Sequence, residues 1–122
     1  MTSHNHFYKI LDNAPREPLP ETLPLSELDK KDGFIHLSTA NQIKETANLF
    51  FSKTEKLWLL KLRVETLKKD GNIEWNSDIP GCPHLHDSQQ GLGKSNVEAI
   101  IVAEKGNHGS WKEVPELLNL ED

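Results

Sequence analysis

The eight residues 57–64, with the sequence LWLLKLRV, constrain the fold more than any other stretch of this chain. Side chains of an extended strand alternate between two faces. The apolar residues at alternate positions of this stretch share one face: Trp58, Leu60, Leu62 and Val64. Lys61 and Arg63 lie on the other face, which we therefore predict to be partly exposed to water. Residues 57–64 are the best-defined strand of the sequence.

Most of the other patterned segments are also typical of strands. Short apolar runs predict strands at 7–11, 34–38, 73–75 and 97–105. We expect the last of these to be largely buried, the strand at 34–38 to lie beside 7–11 or 57–64, and residues 107–114 to form a turn and a final short strand. Residues 78–96 are rich in Gly and Pro and predict a long loop. Strands outnumber helices and do not alternate with them, which predicts an α+β fold with a curved, mainly antiparallel sheet and few helices.

One amphipathic helix is clearly indicated after the strand at 34–38. Thr39 and Gln42 have the spacing of a capping box, so we predict that Thr39 caps a helix that runs to about Phe51. The residues that recur at helical intervals should form its buried stripe: Ile43, Ala47, Phe50 and Phe51. Shorter helical turns are expected to end at Gly33 and Gly71.

The length and charge of the chain limit what it can do. Its 122 residues suffice for one domain. We place this domain at residues 7–115, between a disordered tail at 1–6 and a polar C-terminal tail at 116–122. A net charge of −5 without a long basic run argues against nucleic-acid binding, and no stretch approaches the roughly 18 apolar residues of a membrane span. The single cysteine, Cys82, excludes an internal disulfide, so we expect a cytoplasmic protein, with the nucleus as an alternative location. The oligomeric state stays open.

Three histidines are the candidates for chemistry, because imidazole titrates near neutral pH and binds metal ions. His36 replaces an apolar residue in the strand at 34–38, and His84 and His86 would point to one side of an extended segment. The three could form a metal site with an open position. Alternatively, His36 is a hydrogen-bonded core residue and the other two line a loop. No acidic residue stands at a fixed ligand spacing, and we predict that no metal is bound.

Two hydroxyl residues, Ser38 and Thr39, precede the predicted helix. The free amides and the dipole at the start of a helix favour an anion. A capping role and a ligand-binding role therefore coexist at these two positions.

The chain resembles a family of domains of unknown function, family 952, and in particular its fungal type, which has a proline-rich segment ahead of the glycine. The resemblance rests on five stretches in a fixed order: residues 7–11, 28–51, 57–64, 73–75 and 82–86. The positions that match the first family motif are Gly33, His36, Ser38, Thr39, Gln42, Thr46 and Ala47. Pro83, His84 and Leu85 match the second motif, whereas His86 stands where many members have tyrosine and Asn76 where members often have an acid.

The resemblance implies a distant relation to the ADP-ribosyltransferase fold, a split, curved β structure that clasps nicotinamide adenine dinucleotide (NAD). It therefore implies NAD or a related nucleotide as the ligand. We find no glutamate in this sequence that aligns with the late glutamate of those transferases, which leaves transferase chemistry unassigned.

From these observations we predict a cleft that binds a nucleotide-like or other phosphorylated small molecule. We expect the cleft to be lined by Tyr8, His36, Ser38, Thr39, Gln42, His84 and His86. If the protein is an enzyme, a transferase or hydrolase acting on a nucleotide, then His36 or His84 is its general acid or base. We predict that these two histidines converge within a few ångströms. The alternatives are a non-catalytic binding or interaction module and a metal-dependent enzyme that uses the three histidines.

Overall fold

The computed structural model describes residues 4–75 and 82–122. The strands in this part of the chain are β1 (His6–Leu11), β2 (Ile35–His36), β3 (Lys56–Arg63), β4 (Asn72–Trp75), β5 (Pro83–His86) and β6 (Val97–Glu104). The helices are α1 (Glu27–Asp32), α2 (Ile43–Phe50), α3 (Val64–Asp70) and two short 3-10 helices, Trp111–Glu113 and Pro115–Leu117. Within the described ranges, no helix has the length and apolar character needed to cross a bilayer. The α+β class with few helices is as predicted. Asn76 and residues 1–3 of the predicted N-terminal tail lie outside the described residues.

The strands form two antiparallel sheets of three strands each. The first sheet has the order β1-β3-β6, and the second has the order β2-β5-β4. A bridge between Tyr8 and Ser38 joins the two sheets, because the amide of each residue donates to the carbonyl oxygen of the other, at 2.8 and 2.9 Å. The predicted strand at 34–38 thus touches β1 at Ser38, as expected, but its main partner is β5.

The central strand of the first sheet, β3, is covered on both faces. Its apolar residues divide between two core clusters, with Leu60 and Leu62 in the first and Leu57 and Leu59 in the second. The prediction that the face of Lys61 and Arg63 is partly exposed is wrong at Lys61, which is only 8% exposed, and correct at Arg63, whose side chain is 39% exposed. The ammonium group of Lys61 is stabilised at this position by the carboxylates of Glu98, at 3.0 Å, and Glu121, at 2.5 Å.

The second core cluster is closed by residues that follow β6. Trp111 and Val114 are fully buried in it. The predicted last strand at 107–114 is wrong, because Ser110 caps a 3-10 helix there and its hydroxyl accepts a bond from the amide of Lys112 at 3.1 Å. Residues 116–122, which the sequence predicts as a polar tail, contact the domain. Leu117 is buried in the second cluster.

Helix α2 begins later and buries less than predicted. Gln42, not Thr39, occupies the N-cap, and the Gln42 side chain instead accepts a bond from the amide of Thr39 at 3.0 Å. Ile43 and Ala47 are buried as predicted, but Phe50 is 72% exposed. The helix ends at Phe50, and the non-helical backbone of the next residue brings the Phe51 side chain against the second core cluster instead. Phe50 therefore lies beyond the part of the helix that the core covers.

Two further predictions are wrong for strands of the second half of the chain. The PHLH run, predicted within a loop, is the central strand β5 of the second sheet. The strand at 97–105 exists, but it is not largely buried: Ala103 is the single buried residue of β6, and four of its eight residues are exposed. Helices α1 and α3 end at Gly33 and Gly71, as predicted.

The proline-rich segment, residues 15–24, is tied to the chain that precedes β6. The amide of Leu23 donates to the carbonyl oxygen of Leu92 at 2.6 Å, and the amide of Lys94 donates to that of Pro20 at 3.0 Å. Gly93 lies between these bonds, where a Cβ atom would stand 1.6 Å from the carbonyl oxygen of Glu21. Only glycine permits this close approach of two backbone segments.

Candidate functional site

The second sheet has one apolar face and one face that carries histidines. In its register Ile35 and Ile73 lie opposite Leu85, and all three pack in or against the first core cluster. The next pair in the ladder, His36 and His84, must project from the opposite face. His86 lies on that face too, because it is two positions from His84.

The three imidazoles converge around one aromatic ring. The ring centroids of His36 and His84 are 5.0 Å apart, so their predicted convergence is confirmed. The Phe34 ring stacks on His84 at 4.4 Å and on His86 at 4.6 Å, and its centroid is 4.8 Å from that of His36. The carboxylate of Glu74 lies 3.9 Å from Nδ1 of His86. We call the group formed by Phe34, His36, Glu74, His84 and His86 the histidine face.

His36 is held by two carboxylates from helix α1. Its Nδ1 lies 2.7 Å from Oδ1 of Asp29, and its Nε2 lies 2.9 Å from Oδ2 of Asp32. The backbone amide of His36 also donates to Oδ1 of Asp29, at 3.1 Å. Both ring nitrogens can donate only when the imidazole is protonated. The two carboxylates therefore engage both ring nitrogens of His36 and fix the orientation of its ring.

A buried ion pair lies behind His36. Lys9 Nζ donates to Oδ2 of Asp29 at 2.7 Å and to the carbonyl oxygen of His36 at 3.0 Å. Burial alone would raise the pKa of Asp29, but the charge of Lys9 and the bonds from Lys9 and His36 outweigh it and hold that pKa below its usual range. The sequence did not single out Lys9 or Asp29, because each alone reads as an ordinary surface charge. The available signal was the charged residue at position 9, within an otherwise apolar run.

His84 differs from His36 in having no fixed partner. In residues 4–75 and 82–122 its ring takes part in no hydrogen bond, and it is 8% exposed between two neighbours whose side chains are each 26% exposed, His36 and His86. Burial lowers the pKa of His84, and the nearby charges of His36 and His86 lower it further. His84 is therefore a neutral imidazole at neutral pH, able to accept or donate a proton.

The other predicted site residues lie away from this face. The Tyr8 ring is fully buried in the second core cluster and its hydroxyl donates to the carbonyl oxygen of Glu121 at 2.6 Å. The amide of Ser38 is bonded to Tyr8, and the amide of Thr39 is bonded to Gln42. Ser38 and Thr39 are also buried. The amides of Ser38 and Thr39, which we expected to help bind an anion, are thus engaged within the protein.

Two surface clefts flank the second sheet and the ends of β1 and β3. The larger, of about 500 Å³, is lined by His4, His6, Arg63, Lys68 and other residues, none of which belongs to the histidine face. The smaller, of about 270 Å³, shares Phe34 with that face and also borders Asp29. The smaller cleft therefore adjoins the histidine face, whereas the larger cleft does not. In the described ranges, no three His, Cys, Asp or Glu side chains are arranged to hold a metal ion.

Comparison with known proteins places the chain in a family. Residues 13–101 match the family described as protein of unknown function (DUF952). The chain belongs to the DUF952 family. Protein CC0527 from Caulobacter crescentus has a similar crystal structure, with a TM-score of 0.65 and 29% identity over 86% of this chain and 91% of that one. A double mutant of the same protein matches with a TM-score of 0.65 and 28% identity. No curated protein matches this DUF952 chain.

Proposed function

We propose that the histidine face is the reaction site of an enzyme that acts on a nucleotide-like small molecule, NAD or a related compound, and that His84 is its general acid or base. The observation that carries this proposal is the position of His84, whose ring lies among Phe34, His36 and His86 and makes no hydrogen bond in the described part of the chain. General acid-base catalysis needs a titratable group with an unengaged atom that can take or give a proton, and histidine is the side chain that most often supplies it. The reaction in this proposal is a transfer or a hydrolysis of the nucleotide.

His36 serves a different purpose in this proposal. Both of its ring nitrogens face carboxylates, Asp29 and Asp32, so neither is available to a substrate. Next to burial, the proximity of His36, at 5.0 Å between ring centroids, lowers the pKa of His84. His36 is therefore a positioning and electrostatic residue, and the proton transfer falls to His84.

The fold is compatible with the nucleotide part of the proposal. Two small antiparallel sheets joined at the Tyr8–Ser38 bridge agree with a split, curved structure of the ADP-ribosyltransferase type. The net charge of −5 supports a small-molecule partner over a nucleic acid, and the single cysteine supports a cytoplasmic location.

The test is an NMR titration of the histidine ring resonances with NAD and ADP-ribose, followed by analysis of the reaction products. We expect either compound to shift the His84 and His36 signals and to leave the exposed His108 unchanged. His84→Asn should lower turnover about 100-fold or more, because it removes the acid-base group. His108→Asn, the matched control, should retain full activity.

The alternatives give different results. Ligand binding without turnover in the wild-type protein would favour a binding module over an enzyme. One equivalent of metal by elemental analysis, lost in His84→Ala and His86→Ala, would favour a metal-dependent enzyme. If neither compound shifts any histidine signal, the proposal fails.

A further inference from the structure

We propose that the 270 Å³ cleft beside Phe34 binds the base of the ligand, a neutral planar heterocycle such as a nucleobase. This inference rests on the proposed function, because it assigns a second part of the same molecule to a second part of the surface. The cleft lies between the proline-rich segment, helix α1 and the loop at residues 87–91. We call it the base groove.

The floor of the base groove is apolar. It is formed by Phe34 together with Ile35 and Leu85, which are buried residues of the second sheet. A flat heterocycle gains free energy when its ring faces cover apolar surface of this kind. The floor therefore suits the faces of a base better than a strongly hydrated group.

One wall of the base groove is a loop with a fixed conformation. The carboxylate of Asp70 accepts bonds from the hydroxyl of Ser88, at 2.7 Å, and from the amide of Gln90, at 3.0 Å. The Ser88 hydroxyl in turn accepts a bond from the amide of Gly91 at 2.8 Å. These bonds hold the loop in place before any ligand arrives, which reduces the entropic cost of binding.

The polar groups still available in the base groove are neutral. The side chains of Thr22, Gln89 and Gln90 line it and make no hydrogen bond to other described residues. A carboxamide both donates and accepts, and it can pair with the edge of a base through two bonds. The free polar groups therefore match the hydrogen-bonding edge of a neutral heterocycle.

The charged groups of the base groove disfavour a phosphate there. Asp29 is neutralised by Lys9, and Asp87 accepts a bond from the side chain of Asn72 at 3.1 Å. Lys30 is the one cation lining the described groove, and Glu27 lies 3.6 Å from it. A phosphate would meet the exposed carboxylate of Asp87 and one ammonium group that Glu27 shares, so the anionic part of a ligand belongs outside this groove.

The base groove and the histidine face are continuous at Phe34. This residue lines the groove and also stacks on His84 and His86. Asp29 likewise borders the groove and bonds to His36. Phe34 and Asp29 are therefore the two residues through which the base groove adjoins the histidine face.

The test is a set of ¹H–¹⁵N NMR titrations with adenosine, ribose 5-phosphate and ADP-ribose. Adenosine and ADP-ribose should shift the side-chain amides of Gln89 and Gln90, whereas ribose 5-phosphate should leave them unchanged. Replacing both glutamines, Gln89→Ala and Gln90→Ala, should weaken adenosine binding about tenfold, because the two carboxamides no longer reach the edge of the base. The matched control, Asn107→Ala with Asn119→Ala, removes two exposed amides elsewhere and should change the affinity less than about twofold.

The outcomes separate this inference from the proposed function. If ADP-ribose shifts His84 but not the groove amides, or if the double glutamine variant binds adenosine normally, the base groove is refuted and the reaction site stands. If adenosine shifts the groove amides and no probe shifts His84, the groove stands and the proposed function is refuted. A shift of the groove amides by ribose 5-phosphate would refute the neutral-heterocycle assignment, and the absence of any shift would refute both proposals.

Discussion

The substitution Asp29→Asn tests whether the buried ion pair behind His36 determines the stability of this region. Asp29 is 2% exposed and Lys9 is 9% exposed, and their charged groups are 2.7 Å apart. An asparagine has nearly the same shape but no charge. It would leave the Lys9 ammonium group buried without a counter-ion, and its amide group would compete with that ammonium group as a donor.

The expected loss of stability is large for a single substitution. Removing one partner of a buried ion pair costs about 3–5 kcal/mol, since the remaining charge is desolvated without compensation. The free energy of unfolding of a typical domain is only about 5–15 kcal/mol. Asp29→Asn should therefore lower the urea midpoint strongly. Asp12→Asn, at an exposed position, is the matched control and should cost less than about 0.5 kcal/mol.

A double variant decides whether the stranded charge is the cause. Lys9→Met added to Asp29→Asn removes the uncompensated ammonium group, so the double variant should be more stable than Asp29→Asn alone. Urea unfolding of all four proteins at neutral pH, followed by circular dichroism, measures these differences. A loss below about 1 kcal/mol in Asp29→Asn, or a double variant that is less stable than the single one, would refute the reasoning.

Four further substitutions test other parts of the structure. Phe50→Ala should lower the free energy of unfolding by less than about 0.5 kcal/mol because this side chain is exposed, whereas Ile43→Ala, in the core, should lower it by about 2–5 kcal/mol. Urea unfolding of the two variants measures the difference. Equal losses of stability would contradict the described end of α2. Burial and the neighbouring histidines lower the pKa of His84 below the ordinary histidine value of 6.5, so the unfolded chain takes up a proton first as the pH falls. The contribution of His84 to the free energy of unfolding should be present above pH 6.5 and lost as the pH falls, by no more than about 1.4 kcal/mol per pH unit. Urea midpoints measured at a series of pH values test this, and His84→Asn should remove the contribution. Gly93→Ala would place a Cβ atom 1.6 Å from a backbone carbonyl oxygen of residues 15–24, so it should destabilise the fold by about 3 kcal/mol or more; a normal melting temperature would show that the two segments can separate freely.

Local patterns in the sequence predicted where helices and strands form better than they predicted which elements pack or pair with one another. The periodicity of Ile43 and Ala47 correctly predicted a buried helix face, and glycines correctly marked the ends of α1 and α3. The same periodicity wrongly included Phe50, because the pattern does not show where the core stops covering a helix. Strand β5 was missed because its four residues alternate His with Pro and Leu between turn signals, and its identity depends on two partner strands that the local sequence does not reveal.

The candidate site was predictable in its histidines and not in the groups that control them. His36 and His84 stood out because no cap, turn or apolar core needed them, and the ladder between β2 and β5 brings them together. The ion pair of Lys9 and Asp29 depends on contacts between distant segments, so no spacing in the sequence announces it. The burial of Tyr8 was also not predictable from its local sequence, because Tyr8 packs in a cluster with Trp111, Val114 and Leu117, which follow β6.

The order of strands in the two sheets has a consequence for how the chain acquires its structure. The three strands of the second sheet lie between β1 and β6 in sequence, and β3 of the first sheet lies between β2 and β4. No continuous piece of the chain therefore contains one complete sheet without a strand of the other. Pairings between distant segments slow folding, typically to milliseconds or longer. During synthesis on the ribosome, both edges of β3 can be paired only after β6 has been made. We therefore expect the native fold to form only after nearly all of these residues have been synthesised.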